Sequence, residues 1–148
     1  MFSKYDHTSA QSNFASSIEP NIIVLSTGGQ VAISNLAVRY WFSSDTPTGA
    51  VTFSFSAIPG QGNQLSHTFG TVVSTTGHGS QNRYLSITFN GPAVIHSGQQ
   101  LQLSASVPAS PNYFYQDDDY SFGHQSTYMT WPNITVYQSG TLIYGTEP

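Results

Sequence analysis

The chain has 148 residues, a length that fits one domain (1–148) with a usable core, three basic residues (Lys4, Arg39 and Arg83), seven carboxylates and a formal net charge of −4. Nucleic acid and anionic membranes are held by several cations on one face, so this composition excludes both as partners. There is no cysteine, hence no disulfide and no thiolate metal site, and no apolar run is long enough to cross a bilayer.

Short runs rich in Val, Ile, Phe, Tyr and Thr recur along the chain, separated by Gly, Pro, Ser and Asn, and no window repeats its apolar residues at helical spacing. The segment before Ile18 is Ser-rich and reads as partly extended or loosely held. Strands are expected at Asn21–Leu25, Leu36–Phe42, Ala50–Ser56, Thr68–Ser74, Tyr84–Phe89, Gln99–Val107, Met129–Tyr137 and Thr141–Tyr144. Ser26–Gly29, Gly60–Asn63 and Thr76–Asn82 read as polar loops, and Gln138-Ser139-Gly140 as a hairpin turn. Leu36, Val38, Tyr40 and Phe42 alternate with Ala37, Arg39 and Trp41; Leu101, Leu103, Ala105 and Val107 alternate with Gln102, Ser104 and Ser106. One apolar and one polar face per strand implies sheets packed face to face, as in an antiparallel β-sandwich or jelly roll.

Carboxylates are few, and Asp117-Asp118-Asp119 is their only cluster. It is either a solvated acidic turn or a hard-cation site, because adjacent like charges in a dry place need a cation to neutralise them. Calcium takes six to eight oxygens, and Asp45, beside Ser43 and Ser44, is placed to supply more. A glycosidase needs two carboxyls flanking one bond, and no such pair is evident. The five histidines have no zinc-like spacing and read as surface residues. Gly77-His78-Gly79-Ser80 lacks the nucleophile-elbow pattern. Aromatic residues are plentiful, and Tyr113-Phe114-Tyr115 cannot all point inward, so at least one ring faces solvent, where it is either a bare surface ring or a platform for the C–H face of a sugar.

Taken in order, Ile18-Glu19-Pro20-Asn21-Ile22-Ile23-Val24, Leu36-Ala37-Val38-Arg39-Tyr40-Trp41-Phe42-Ser43-Ser44-Asp45, Tyr84-Leu85-Ser86-Ile87-Thr88-Phe89, Asp118-Asp119-Tyr120-Ser121-Phe122 and the closing Trp131, Thr135, Tyr137, Gly140, Leu142, Tyr144-Gly145-Thr146-Glu147-Pro148 resemble the family 3 carbohydrate-binding modules of cellulases and cellulosomal scaffolding proteins. The resemblance covers nearly the whole chain. It implies a nine-stranded jelly-roll sandwich and one structural Ca2+ held by Ser43, Asp45, the carbonyl of Tyr115, Asp118 and Asp119. It also implies a secreted or cell-surface setting within a larger protein.

The family's flat cellulose-binding strip carries over poorly. Its Asp-His pair falls at Phe55-Ser56, its arginine at Ala105 and its tryptophan near Pro111, which leaves Phe55, Tyr113 and Phe114 as replacements. The family's shallow groove on the opposite sheet is better kept, through Arg39, Trp41, Tyr84 and Tyr120. The resemblance thus implies a non-catalytic module that binds cellulose or a related plant-wall β-glucan and targets an attached enzyme or scaffold. The alternative is an accessory or sensing module that has lost cellulose binding and packs on a catalytic domain, a linker or another protein partner.

Overall fold

A computed structural model of the chain describes residues 1–7, 14–15, 17–43, 52–56, 65–71, 83–108, 114–115 and 117–148, with backbone alone at 2, 4–7, 14–15, 52–56, 65–71, 108 and 114–115. Its strands are β1 (Phe2–His7), β2 (Phe14–Ala15), β3 (Ser17–Ile18), β4 (Pro20–Leu25), β5 (Val31–Ala32), β6 (Leu36–Phe42), β7 (Thr52–Ser56) and β8 (Leu65–Thr71), followed by β9 (Arg83–Phe89), β10 (Val94–Ile95), β11 (Gln100–Pro108), β12 (Phe114–Tyr115), β13 (Met129–Thr130), β14 (Ile134–Gln138) and β15 (Thr141–Tyr144). Among the described residues one 3-10 turn, Ile33–Asn35, is the sole helical element.

Two antiparallel sheets carry the fold. In the first, β1 lies between β13 and β4, and β3 and β4 run end to end along one side of β11 while β7 pairs along its other side. In the second the order is β15-β14-β6-β9-β8. Two short ribbons, β5 with β10 and β2 with β12, complete the pairing.

The core follows from the alternation. Val38 stands opposite Ile87 on one side and Val136 on the other, and all three are buried. Ile22 and Val24 pair with Leu103 and Leu101 in the facing sheet, again fully buried. Ile33, Ala93 and Ile95 close one end, and Met1, Val31, Trp131 and Tyr144 pack at the margins. Burial of this kind contributes about 1.5–3 kcal/mol per large aliphatic side chain.

The hairpin expected at Gln138-Ser139-Gly140 forms, joining β14 to β15 with Gln138 opposite Thr141. Ser139 and Gly140 both have positive φ, 50° and 82°, which is the two-residue turn whose twist matches the flanking strands.

Two expectations need correction. The run Met129–Tyr137 is two strands in different sheets, because Pro132 cannot donate to a ladder and a turn closes with Ile134 N–H donating to the Trp131 carbonyl at 3.3 Å. The segment before Ile18, read as partly extended or loosely held, is extended where described: β1 pairs with β4 over six positions, from Phe2 opposite Leu25 to His7 opposite Pro20. The strand expected at Thr68–Ser74 begins earlier, at Leu65, because the seven residues of β9 template it from Phe89 back to Arg83; residues 72–74 lie outside the described residues.

Candidate cation site and binding faces

Beyond β12 the chain turns at Asp117 and Asp118, which are exposed, and then buries Asp119, 4 % exposed. Asp119 Oδ1 accepts the backbone N–H of Ser43 at 2.9 Å, and the Ser43 hydroxyl donates to Asp118 Oδ1 at 3.3 Å. Ser43 follows β6 directly, so this pair of contacts ties the acidic turn to the end of a central strand. Asp117 turns away and meets His124 Nε2 at 3.0 Å, and the His124 ring stands edge-on to Phe122 at 4.9 Å. The like-charged triplet is thus split, one carboxylate to a histidine and two to Ser43.

A neutral N–H balances only part of a buried carboxylate's charge. The Ser43 hydroxyl and the Asp118 and Asp119 carboxylates are hard oxygen donors drawn to one place, which is the donor chemistry calcium takes. Among the described residues no group of three His, Asp or Glu side chains forms a metal cluster. Of the remaining expected ligands, Asp45 lies outside the described residues, and Tyr115 is placed by its backbone in β12, opposite Phe14.

The outer face of the five-stranded sheet gathers three of the four groove residues. Arg39 and Trp41 share that face by alternation, and Tyr84 stands opposite Trp41 on β9. The Arg39 guanidinium carbon lies 4.5 Å from the Tyr84 ring centre, 4.2 Å from that of Tyr137 and 5.8 Å from that of Trp41. Trp41, which alternation turns outward, is nevertheless buried: Tyr84 leans on it at 5.1 Å, and the loop after Asp119 covers its backbone through Ser121. It forms the floor of this face, with Arg39 and Tyr84 partly open above it.

Tyr120 does not join that row. Its hydroxyl donates to the Thr146 carbonyl at 3.0 Å, and Asn133 Nδ2 donates to its carbonyl at 2.8 Å. Burial raises its pKa above the usual tyrosine value. Tyr120 therefore secures the segment after β15. That segment brings Glu147 onto the face, where its carboxylate accepts the Tyr137 hydroxyl and lies 3.9 Å from Arg39 Nη1. The Tyr137 pKa is pushed up to about 12, first by burial and then by the Glu147 hydrogen bond.

On the opposite outer face, that of the six-stranded sheet, the outward side chains of β11 are polar and neutral. Gln102 and Ser104 of β11 face outward between the buried Leu101 and Leu103. Gln102 Nε2 donates to the Tyr128 hydroxyl at 3.0 Å, and the Ser104 hydroxyl donates to Asn21 Oδ1 at 2.6 Å. This is a strip of amide, hydroxyl and phenol groups. The arginine position read at Ala105 falls on an inward-facing residue, 5 % exposed; its outward neighbours are Ser104 and Ser106.

The expected carbohydrate contacts are not brought together by the described residues. The backbone sets Phe55 opposite Leu103 in the large sheet and Phe114 opposite Ala15 in a separate ribbon, and Tyr113 lies outside the described residues. Tyr128, Asn21, Gln102, Tyr137 and Glu147 were not singled out as site residues. The outward placement of Gln102 and Ser104 was legible from alternation. Tyr128 reaches Gln102 from 26 residues away, and no local pattern marks such a partner.

The described carboxylates are committed to structure: Glu19 to the Ser17 hydroxyl, the acidic turn to Ser43 and His124, and Glu147 to Tyr137 and Arg39. Two sheet faces that present amide, hydroxyl, phenol and guanidinium groups are suited to holding a ligand against a sheet. The chain belongs to the cellulose binding domain family (CBM_3), whose model matches residues 3–145, a family of non-catalytic carbohydrate-binding modules.

The chain is 34% identical over 125 residues to Endoglucanase 5 of Pectobacterium carotovorum subsp. carotovorum, covering 80% of this chain and 24% of that protein. It is 30% identical over 149 residues to anti-sigma-I factor RsgI2 of Acetivibrio thermocellus, covering 88% of this chain and 22% of that protein. It therefore spans less than a quarter of these relatives' length. Among solved structures it superposes with a TM-score of 0.80, at 23% identity over 97% of this chain and 99% of the other, on the family 3a carbohydrate binding module from the cipA scaffolding of Clostridium thermocellum. It matches one of the biomass sensing modules from putative Rsgi-like proteins of Clostridium thermocellum with a TM-score of 0.82, at 25% identity over 99% and 97% of the two chains. These neighbours are β-sandwich jelly rolls, and this chain shares that fold.

Proposed function

We propose that this domain binds cellulose or a related plant-wall β-glucan outside the cell and holds an attached enzyme or scaffold to it. The observation that carries this reading is the neutral strip Asn21–Ser104–Gln102–Tyr128 on the outer face of the six-stranded sheet, in a chain that belongs to a carbohydrate-binding family. Amides and hydroxyls exchange hydrogen bonds with sugar hydroxyls, and a phenol ring packs on the C–H face of a pyranose. The register sets Phe55 opposite Leu103 and not opposite Gln102 or Ser104, so of the expected contacts Tyr113 and Phe114 are the ones kept in the proposal, apart from this strip.

The calcium ion belongs to the same proposal. Ser43, Asp118 and Asp119 would hold it together with Asp45 and the Tyr115 carbonyl. It would neutralise the acidic turn and add its binding free energy to the folded state.

A second reading is favoured by the likeness to RsgI2 and to the biomass sensing modules: the domain senses a glucan for an attached regulator. Both readings require glucan binding. The test is depletion of the purified domain from solution by microcrystalline and by amorphous cellulose, in calcium, for the parent and for Tyr128→Ala. Saturable depletion that Tyr128→Ala weakens by about tenfold, the scale of one lost aromatic contact, supports the strip. No depletion of a folded parent on either form refutes glucan binding by this domain.

A further inference from the structure

The acidic turn and the Tyr128 strip are joined by one stretch of chain. β14 begins at Ile134, opposite Tyr40, so it does not reach the end of β6 along that side. Residues 119–121 lie there instead, antiparallel to β6. Ser43 N–H donates to Asp119 Oδ1 at 2.9 Å, Trp41 N–H donates to the Ser121 hydroxyl at 2.7 Å, and Ser121 N–H donates to the Trp41 carbonyl at 3.0 Å. Two side-chain oxygens thus take acceptor places that the carbonyls of a strand would fill.

Ser121, which is fully buried, also fastens the far end of the loop that starts from it. Its carbonyl accepts Trp131 Nε1 at 3.0 Å, its hydroxyl donates to the Asn133 carbonyl at 2.6 Å, and Asn133 Nδ2 donates to the Tyr120 carbonyl at 2.8 Å. The loop 122–130 therefore leaves and returns at one place, two residues from Asp119. It carries Tyr128, whose hydroxyl accepts Gln102 Nε2 on β11. Away from that root the loop pairs with β1 at two positions, Lys4 opposite Thr130 and Tyr5 opposite Met129. Asp118 and Asp119 bring like charges to the root, one of them buried. Until a cation balances them, closing 119–121 onto β6 works against their repulsion and against the desolvation of Asp119. A root that opens for part of the time leaves Tyr128 in place for the remainder only, and a site competent for a fraction of the time binds more weakly by that fraction.

We infer that Asp118 and Asp119, by holding calcium, set the position of Tyr128, so that calcium and glucan bind this domain cooperatively. This inference rests on the glucan-binding reading given above and on the calcium ion proposed with it. Ser121 is the positioning residue that links the two. Such coupling is reciprocal: the factor by which calcium raises glucan affinity is the factor by which glucan raises calcium affinity.

The test is depletion of the domain by amorphous cellulose, at saturating free calcium and in a strong chelator, for the parent and for Tyr128→Ala. The temperature is one at which a thermal melt shows every sample folded. Chelation is expected to weaken the parent about tenfold, whereas Tyr128→Ala, already weak in calcium, loses little more. A general loosening of the fold would weaken both proteins alike. The cellulose-bound parent should also keep its calcium at a free concentration about tenfold lower than the parent in solution does. Trp131→Phe removes the indole donor to Ser121 with calcium in place, and it keeps the test open if the chelated parent unfolds. It is expected to weaken binding severalfold, and to add little beside Tyr128→Ala. Equal depletion of a folded parent with and without calcium overturns the inference while glucan binding stands. So does an equal loss on chelation in the parent and in Tyr128→Ala, and so, where the chelated parent unfolds, does parental affinity in Trp131→Phe. A folded parent that cellulose does not deplete in calcium overturns the glucan reading, and the inference with it.

Discussion

The indole Nε1 of Trp41 donates to the hydroxyl of Thr135 at 2.8 Å, across neighbouring strands of the five-stranded sheet. Both residues are buried, so water cannot replace either partner. Thr135→Val keeps the shape and removes the acceptor, which leaves a buried N–H unmet and costs about 1–3 kcal/mol. Thr135→Ser restores most of that loss. Denaturant unfolding followed by tryptophan fluorescence measures both, and a Thr135→Val domain as stable as the parent would show that the indole has another acceptor.

Gly145→Ala meets two obstacles at once. The φ of +88° is disfavoured for any L side chain, and the added methyl would press on two backbone carbonyls that cannot swing aside. We expect a loss of about 2 kcal/mol or more, seen as a lower unfolding midpoint. Gly28→Ala is the comparison, since nothing stands near that position and its φ is not in the left-handed range.

The tyrosine chemistry gives a pH dependence with a defined sign. Tyr137 holds its proton to about pH 12 in the folded state, against 10 in its unperturbed state, chiefly through burial and then through Glu147. Between those values the unfolded chain has released the proton and the folded one has not. The contribution is therefore present below pH 10 and lost as pH rises towards 12, by up to about 3 kcal/mol. Tyr120 and Tyr144, also raised by burial, act in the same direction. Unfolding free energies at pH 9 and 11.5 should fall steeply for the parent and less for Tyr137→Phe; equal slopes would mean that Tyr137 carries none of the dependence.

Calcium, if bound as proposed, stabilises only the folded form. At a free concentration about one hundred times its dissociation constant the gain is about 2.7 kcal/mol, which for a domain of this size is roughly 5–10 °C in midpoint. A strong chelator should remove it, and Asp119→Asn should make the midpoint insensitive to calcium. Identical melts with and without chelator, from protein free of metal by elemental analysis, would dismiss the ion.

What the residues announce in advance is what repeats locally. The alternation in Leu36–Phe42 predicts β6 to the residue, and Ser139-Gly140 predicts the hairpin with the backbone angles it needs. β1 gives no such signal, because Lys4, Asp6 and His7 interrupt any apolar pattern and only pairing with β4 makes it a strand. Pro132 marks the break that separates Met129–Thr130 from Ile134–Gln138, a signal outweighed by the β-rich residues around it. At the candidate sites, residues sharing a strand face or a turn were legible: Arg39 with Trp41, and Asp118 with Asp119. Contacts made across the chain were not: alternation turns Trp41 outward, and only the tertiary structure shows it roofed by Tyr84 and Ser121.

The edge formed by β15 bears on how copies of this domain meet one another. Thr141, Leu142 and Ile143 are exposed there, so two apolar side chains, one toward each face, stand on an outermost strand of the second sheet. A long, flat edge of that kind would template addition of another chain. This one offers only four residues, its register slips between Val136 and Tyr137, and Gly145 turns the backbone out of line directly afterwards. A neighbouring strand arriving at the edge would lose its ladder within a few bonds, which protects a sparsely charged, weakly self-repelling surface against stacking into fibres.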